Sequence, residues 1–247
     1  MASAFSSEGR RALVTGANTG IGQAIAVAMA EAGAFTICAG RSDMDETLAQ
    51  IAPVGRGEAL VLDLSSPVSG FAEVMAAAEA DILVNNAGVI RRADSVDFTE
   101  ADWDAVMDVN LKATFFLSQA FARALFTRGG MGAIVNIASL LSFQGGIRVP
   151  SYTAAKHGVA GLTRLLANEW AARGINVNAV APGYVETNNT EALRADPVRY
   201  TTILERIPAG RWGDPADSSG ATVFLASPAA RYIHGVLLPV DGGWLAR

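Results

Sequence analysis

Apolar runs alternate along the chain with longer segments in which small and aliphatic residues recur at helical spacing. The short runs show no regular polar alternation, which is typical of strands that are buried on both faces. They predict strands at Arg11–Thr15, Phe35–Ala39, Leu60–Leu64, Asp81–Asn85, Ala133–Ala138, Ile175–Val180 and Val236–Val240. The longer segments predict helices near Ile21–Ala32, Met44–Ile51, Val68–Ala80, Ala101–Thr127, Ser151–Arg173 and Pro215–Ala226.

Strands that alternate with helices favour right-handed crossovers and a parallel sheet covered on both faces. No segment rich in proline, glycine and serine divides the chain. We therefore expect a doubly wound α/β fold with a seven-stranded parallel sheet, formed as a single domain by residues 1–247. The patterning weakens after the sixth predicted strand, and a lid over a cleft is expected near residues 184–212.

The composition narrows the classes of partner. The chain has 247 residues, of which 51% are hydrophobic, and this length suits one large α/β domain. A net charge of −5 without a basic run argues against nucleic acid or an anionic membrane as a partner. No apolar stretch reaches the roughly 18 residues that span a bilayer, and the single cysteine, Cys38, indicates a buried, inert thiol. We expect a cytoplasmic protein without a metal site, since no cluster of His, Cys and carboxylates has ligand spacing.

A glycine-rich loop joins the first predicted strand to the first long helix. It reads Gly16-Ala17-Asn18-Thr19-Gly20-Ile21-Gly22. Glycines permit a tight turn and the close approach of a pyrophosphate, and a helix N-terminus offers free N–H groups and a positive dipole end. The spacing differs from the common G-x-G-x-x-G fingerprint and from a P-loop, but its strand–loop–helix context predicts dinucleotide binding.

A tyrosine and a lysine lie one helical turn apart, at Tyr152 and Lys156, 13 residues after Ser139. Positions i and i+4 share one helix face, so a cation is held near a phenol. A phenol titrates near 10, and moving its pKa to about 7 requires roughly 4 kcal/mol of phenolate stabilisation. One charge at about 4 Å supplies that much only where the effective dielectric constant is about 20. The pair therefore predicts proton transfer in a sheltered cleft.

These motifs occur in one order along almost the whole chain. They are the glycine loop, Asn85-Asn86-Ala87-Gly88, Asn110, Ser139, the Tyr152–Lys156 pair and a C-terminal Val240-Asp241-Gly242-Gly243. In this the chain resembles the short-chain dehydrogenase/reductase family, which implies a Rossmann fold and an oxidoreductase that uses a nicotinamide dinucleotide.

The resemblance also implies roles for individual residues. Tyr152 would be the general acid/base, Lys156 would lower its pKa and bind the nicotinamide ribose, and Ser139 would hydrogen-bond the same substrate oxygen. Asn110 would bend its helix and hold a water that relays protons. The implied dinucleotide-binding residues are Gly16, Asn18, Thr19, Gly20, Ile21, Gly22, Asp63, Leu64, Asn85, Ala87, Gly88, Tyr152, Lys156, Pro182, Gly183, Val185 and Thr187.

The end of the second predicted strand bears on the choice of coenzyme. An acid there hydrogen-bonds the ribose 2′-hydroxyl of NAD, whereas an arginine suits the 2′-phosphate of NADP. Gly40 stands where the acid would be, and Arg41 follows it. We expect NADP or NAD, with NADP favoured through Arg41. The alternative is an Arg41 that stacks on adenine and leaves NAD usable.

Further segments resemble the 2-deoxy-D-gluconate 3-dehydrogenase branch of the family, which implies a deoxy sugar acid as the substrate. The segments begin at Asn86, Leu141, Ala181, Thr187 and Ile207. A sugar acid requires a cation for its carboxylate and polar groups for its hydroxyls, and a guanidinium can bind a carboxylate bidentately. The candidate substrate residues are Arg92, Gln144, Arg148, Asn188 and Trp212.

Each of these assignments has an alternative. Either arginine is almost as well explained as a surface or subunit-contact residue, and Trp212 as aromatic packing. A reductase of 3-oxoacyl carrier-protein esters is a second function, and a dinucleotide sensor without turnover is a third. The resemblance implies a homotetramer, and the helices near Ala101–Thr127 and Ser151–Arg173 are long and apolar enough to pair across a two-fold axis.

Overall fold

The strands of a computed structural model of the chain, which describes residues 3–65 and 68–247, form one parallel sheet. They are β1 (Arg11–Thr15), β2 (Phe35–Gly40), β3 (Arg56–Val61), β4 (Ile82–Asn85), β5 (Gly132–Ile137), β6 (Ile175–Pro182) and β7 (Leu237–Val240). Their spatial order is β3-β2-β1-β4-β5-β6-β7, and each neighbouring pair is parallel. The predicted seven-stranded, doubly wound α/β fold is confirmed.

Helices cover both faces of this sheet. They are α1 (Gly20–Glu31), α2 (Asp45–Ile51), α3 (Phe71–Ala78), α4 (Glu100–Met107), α5 (Ala113–Arg128), α6 (Pro150–Trp170), α7 (Glu191–Arg194), α8 (Pro197–Leu204) and α9 (Asp217–Ala226). Among the residues described, no helix combines the length and the apolar character needed to cross a membrane.

Successive residues of one strand supply the cores on the two faces. Leu13 packs on the side of α3, α5 and α6, in a cluster that includes Phe121 and Leu166. Its neighbour Val14 packs on the opposite side, with Ile25 of α1. The period of two along a strand divides a continuous apolar run between the two layers. Cys38 is buried, as predicted, and burial raises the pKa of its thiol to about 11.

The bounds predicted for the third strand are wrong. The strand was expected at Leu60–Leu64 but lies at Arg56–Val61, paired only with β2. It is an edge strand whose side chains are mostly exposed, so its sequence does not need to be a continuous apolar run. Leu62 to Leu64 leave the sheet and reach the cleft described below.

The helix predicted over Ala101–Thr127 is interrupted in its middle. Residues Asp108–Lys112 form a single π-helical turn between α4 and α5, and Asn110 lies within it. Such a turn inserts one extra residue into the helix and is frequent at functional sites. The family resemblance implied a bend at Asn110, and the helix departs from regular α-helical geometry at that residue.

The segment near 184–212 forms a small layer of its own. It contains α7 and α8 and packs a satellite core, with Trp212 and Tyr200, against Trp244 near the C-terminus and Leu140 after β5. The rings of Tyr200 and Trp212 stack with centroids 5.5 Å apart. This layer lies beside the carboxyl ends of β5 and β6, where the strand-end residues also converge.

Candidate active site

A cleft of about 420 Å³ opens at the carboxyl ends of the strands, a size typical of small-molecule sites. Most of the residues proposed from the sequence line it. They are Gly16, Asn18, Thr19, Gly20, Ile21, Gly22, Arg41, Asp63, Leu64, Ala87, Gly88, Ser139, Tyr152, Lys156, Pro182, Gly183, Val185, Thr187 and Asn188. Six others do not line it: Asn85, Arg92, Asn110, Gln144, Arg148 and Trp212.

The glycine loop forms a cradle, a concave space that side chains at its glycine positions would fill. Gly16 and Gly20 have φ angles of 65° and 57°, in the left-handed region that glycine tolerates best. A Cβ at Gly22 would lie 2.1 Å from the carbonyl oxygen of Gly16. The first turn of α1 thus presses against the loop, and only hydrogen fits at this position.

The N-terminus of α1 can receive an anion. Thr19 is the N-cap residue, its side chain makes no capping hydrogen bond, and the first turn of α1 contains no acidic residue. The first N–H groups of a helix lack intrahelical acceptors and carry the positive end of its dipole. The glycine cradle and these donors fit the pyrophosphate of a dinucleotide.

Asn86 holds the loop to the fourth strand and was not proposed from the sequence. Its amide nitrogen donates to the carbonyl oxygens of Thr15, at 2.8 Å, and Gly16, at 3.2 Å. The Thr15 hydroxyl accepts from the backbone N–H groups of Asn86 and Ala87, both at 3.0 Å. Asn86 comes just after an apolar strand, and this position was the sequence signal that could have identified it.

Asn85, which was proposed, lies outside the cleft. It is the last residue of β4, and its buried amide donates to the hydroxyl of Ser118 on α5 and to Oδ1 of Asn136 on β5. Asn136 in turn donates to the hydroxyl of Thr163 on α6. Because successive strand residues alternate between faces, Asn85 joins the sheet to its helices while Asn86 reaches the loop.

Arg41 and Asp63 lie at the outer end of the cleft. Arg41 is exposed, and both residues contribute to the lining. Hydrogen bonds from the backbone N–H and hydroxyl of Ser65 lower the pKa of Asp63, and the charge of Arg41 lowers it further. This end therefore offers one fixed carboxylate and one accessible guanidinium.

Ser139, Tyr152 and Lys156 come together at the inner end. Lys156 is 5% exposed, and its Nζ donates to the carbonyl oxygen of Ile137 at 2.5 Å. Nζ lies 5.5 Å from the centroid of the Tyr152 ring. Burial lowers the pKa of Lys156 to about 8. Ser139 follows β5, and its hydroxyl accepts from the backbone N–H of Leu141 at 3.2 Å.

Burial raises the pKa of Tyr152, whereas a hydrogen bond with Ser139 and the charge of Arg92 oppose that rise. The charge of Arg92 is an influence on the phenol that the sequence did not predict, and the lowering of the Tyr152 pKa by Lys156 stays a prediction. Arg92 lies outside the cleft lining, and its guanidinium donates to the carbonyl oxygen of Asn189 at 2.7 Å. Two cations therefore flank the phenol, one buried and one accessible.

Asn110 supports the site from behind. Its side chain accepts from the backbone N–H of Val89 at 2.8 Å and donates to the Val89 carbonyl oxygen at 2.9 Å. Its own carbonyl oxygen accepts from the hydroxyl of Thr114 at 3.0 Å. The π-helical turn thereby fixes the loop after β4, and the predicted water relay stays a prediction.

The remaining candidates for substrate contact differ from one another. Arg148 is exposed and pairs with Asp94, with 3.0 Å between Nε and Oδ1. Gln144 accepts from the indole N–H of Trp244 at 3.3 Å. Trp212 is buried in the satellite core. The alternative interpretation of Trp212, aromatic packing, is the one that its contacts support.

Comparisons with known proteins identify the family of the chain. The profile of a family described as enoyl-(acyl carrier protein) reductase matches residues 16–245. The 2-dehydro-3-deoxy-D-gluconate 5-dehydrogenase of Escherichia coli is 54% identical over 99% of both chains.

Two solved structures resemble this one closely. A proposed 2-deoxy-D-gluconate 3-dehydrogenase of Agrobacterium tumefaciens with bound NADP is 68% identical, with a TM-score of 0.96 over 98% of this chain and 99% of that one. A proposed NAD(P)-dependent gluconate 5-dehydrogenase of Beutenbergia cavernae, also with NADP, is 52% identical, with a TM-score of 0.95 over 99% of this chain and all of that one. With the ordered glycine loop, Ser139, Tyr152 and Lys156 lining one cleft, these matches show that the chain belongs to the short-chain dehydrogenase/reductase family.

Proposed function

We propose that the protein transfers a hydride between a nicotinamide coenzyme and a secondary hydroxyl or keto group of a deoxy sugar acid. The observation that carries this proposal is the convergence of Ser139, Tyr152 and Lys156 at the inner end of the cleft that the glycine loop lines, with the charge of Arg92 acting on the phenol. Relatives that are at least half identical are named as dehydrogenases of deoxygluconates or of gluconate.

The proton is handled by the chain's own residues. In oxidation, the Tyr152 phenolate accepts the proton of the substrate hydroxyl, while the Ser139 hydroxyl hydrogen-bonds the same oxygen. In reduction, the phenol returns that proton to the oxygen. The coenzyme, when bound, supplies or accepts the hydride. Lys156 and Arg92 stabilise the phenolate electrostatically, and burial strengthens the interaction with Lys156.

Arg92 is the residue we assign to the substrate carboxylate. Of the two candidate arginines, it is the one whose charge acts on Tyr152. Arg148 is already paired with Asp94. A guanidinium beside the phenol suits a substrate that carries a carboxylate a few atoms from its reacting carbon. Asn188, on the lining, supplies polar contacts for hydroxyl groups.

The substrate is tested with Arg92→Ala and the matched variant Arg91→Ala, since Arg91 is its exposed neighbour and pairs with Asp102. Steady-state rates are measured for a panel of deoxy sugar acids and for neutral polyols of the same length. Loss of a charge-assisted hydrogen bond should raise the KM for the acid by about 10- to 100-fold in Arg92→Ala, while the KM for the polyols stays unchanged. Because Arg92 also stabilises the phenolate, kcat should fall for both kinds of substrate, and Arg91→Ala should leave all rates unchanged. An equal rise of KM for acid and polyol would contradict the assignment.

NADP is the coenzyme we favour over NAD. Arg41 lines the outer end of the cleft directly after Gly40, where no acid is present to receive a ribose 2′-hydroxyl. We expect kcat/KM to be higher with NADP than with NAD and Arg41→Ala to abolish the difference. A large preference for NAD that Arg41→Ala left unchanged would refute this choice.

Three further proposals concern the setting of the reaction. Residues 184–212 act as a lid, supported by the bond from Arg92 to Asn189 across the cleft mouth. A homotetramer is supported by apolar side chains, including Phe115 and Leu165, that line a surface groove between α5 and α6. A cytoplasmic location is supported by the need for a nicotinamide dinucleotide and by a buried, unbridged Cys38.

A further inference from the structure

Arg148 has an unusual backbone conformation directly before the helix that carries Tyr152. Its φ angle is 63°, in the left-handed region that non-glycine residues seldom adopt. Val149 follows as the N-cap residue of α6, without a side-chain cap, and Pro150 is the first helical residue. Strained backbone of this kind persists where surrounding contacts hold it, and it is frequent at functional sites.

Two contacts hold Arg148 to the loop that follows β4. Its carbonyl oxygen accepts from the backbone N–H of Ala93 at 3.1 Å. Its Nε lies 3.0 Å from Oδ1 of Asp94. Arg92, whose charge acts on Tyr152, immediately precedes these two residues.

We propose that Arg148 is a positioning residue, which ties the loop carrying Arg92 to the first turn of the helix carrying Tyr152. The tie fixes the separation between the cation that receives the substrate carboxylate and the phenol that exchanges the proton. This inference rests on the role proposed for Arg92 above. It gives Arg148 a different role from the direct carboxylate contact considered from the sequence.

The solvent exposure of the Arg148–Asp94 pair determines which property changes when the pair is broken. The side chains of Arg148 and Asp94 are 62% and 66% exposed. An ion pair in water contributes little to global stability. Breaking it should therefore leave the melting temperature nearly unchanged, while a small shift of the Arg92 loop alters the reaction geometry. Kinetics and stability thus report on different consequences of one change.

The test is a charge swap. Arg148→Asp and Asp94→Arg should each lower kcat/KM for the sugar acid by about tenfold, since small misplacements of reacting groups have effects of this order. The double variant Asp94→Arg with Arg148→Asp should return to within about threefold of the wild type. If Arg148 bound the carboxylate itself, an aspartate there would repel it, and the double variant would stay at least as slow as the slower single variant.

Two controls separate the side chain from the backbone. Arg148→Gly keeps the left-handed conformation but removes the guanidinium, so it should lose activity like Arg148→Asp; wild-type activity would overturn the proposal. Glu58→Ala breaks the distant exposed pair with Arg11, which spans 3.1 Å, and should leave the kinetics unchanged.

Failure of this inference and failure of the proposed substrate are distinguishable. If the wild type oxidised neutral polyols as well as sugar acids, the carboxylate assignment of Arg92 would fail. The charge swap would still be measured on any substrate that the wild type turns over. Rescue by the double variant on that substrate would support the proposal that Arg148 positions the Arg92 loop against the helix carrying Tyr152. Lack of rescue would refute it.

Discussion

The floor of the cleft, formed by the glycine loop and the end of β4, is held by hydrogen bonds between residues at strand ends, whereas its substrate side is held by single hydrogen bonds between loops. At the floor, Asn86 donates to the carbonyl oxygens of Thr15 and Gly16, next to the strands that position them. On the substrate side, Arg92 reaches Asn189 and Trp244 reaches Gln144, about a hundred residues away in sequence.

This difference indicates in which part of the cleft substitutions can change substrate specificity. Parallel strands fix the positions of their carboxyl ends, so a floor anchored at strand ends has little freedom. Loops joined by single side-chain contacts can be altered one residue at a time. The coenzyme part of the cleft should therefore be intolerant of substitution, and the substrate part tunable.

The largest effect is expected at Tyr152, where the two parts meet. Tyr152→Phe removes the proton carrier and leaves the ring, so kcat should fall about a thousandfold, within the usual range for general acid/base groups. Coenzyme affinity, measured by fluorescence titration, should change much less. Wild-type turnover in Tyr152→Phe would exclude the phenol as the acid/base.

The second-largest effect is expected at Gly22 and tests whether the floor of the cleft tolerates substitution. In Gly22→Ala, the new Cβ would overlap the Gly16 carbonyl oxygen, 2.1 Å away, so the loop must move. Coenzyme affinity should fall by up to about a hundredfold, since overpacking of this kind costs about 1–3 kcal/mol. Gly220→Ala is the control, because its Cβ meets nothing within 4 Å, and it should bind normally. Equal affinity in both variants would contradict a rigid floor.

The smallest effect concerns stability at the boundary between the parts. The folded pKa of Lys156 is about 8, below its ordinary 10.5, so below pH 8 the lysine is protonated in both states and its buried charge destabilises the fold. Between about pH 8 and 10 the unfolded chain binds more protons, and this destabilisation, of roughly 3 kcal/mol, is lost as pH rises.

Lys156→Met removes that titration. The melting temperature of the variant minus that of the wild type, followed by thermal scans, should therefore decrease by several degrees from pH 7 to pH 10. A difference that is independent of pH would show that the folded pKa is not lowered.

Much of the architecture could be predicted from local pattern. Apolar runs and helical spacing identified the seven strands in order, and strand-end positions identified the glycine loop and Ser139. The spacing of Tyr152 and Lys156 identified their shared helix face. The bounds of the edge strand β3 were predicted wrongly because its exposed faces carry no continuous apolar signal.

The sequence by itself determined the fold, the glycine-lined cleft at the strand ends and the helix that Tyr152 and Lys156 share, because these follow from contacts between neighbours along a strand or one helical turn. Only the tertiary structure decided that Asn86 rather than Asn85 reaches the loop, that Arg148 pairs with Asp94, and that Arg92 donates to the carbonyl oxygen of Asn189. Those outcomes depend on contacts between loops far apart in the chain, and local spacing carries no information about which distant side chains meet.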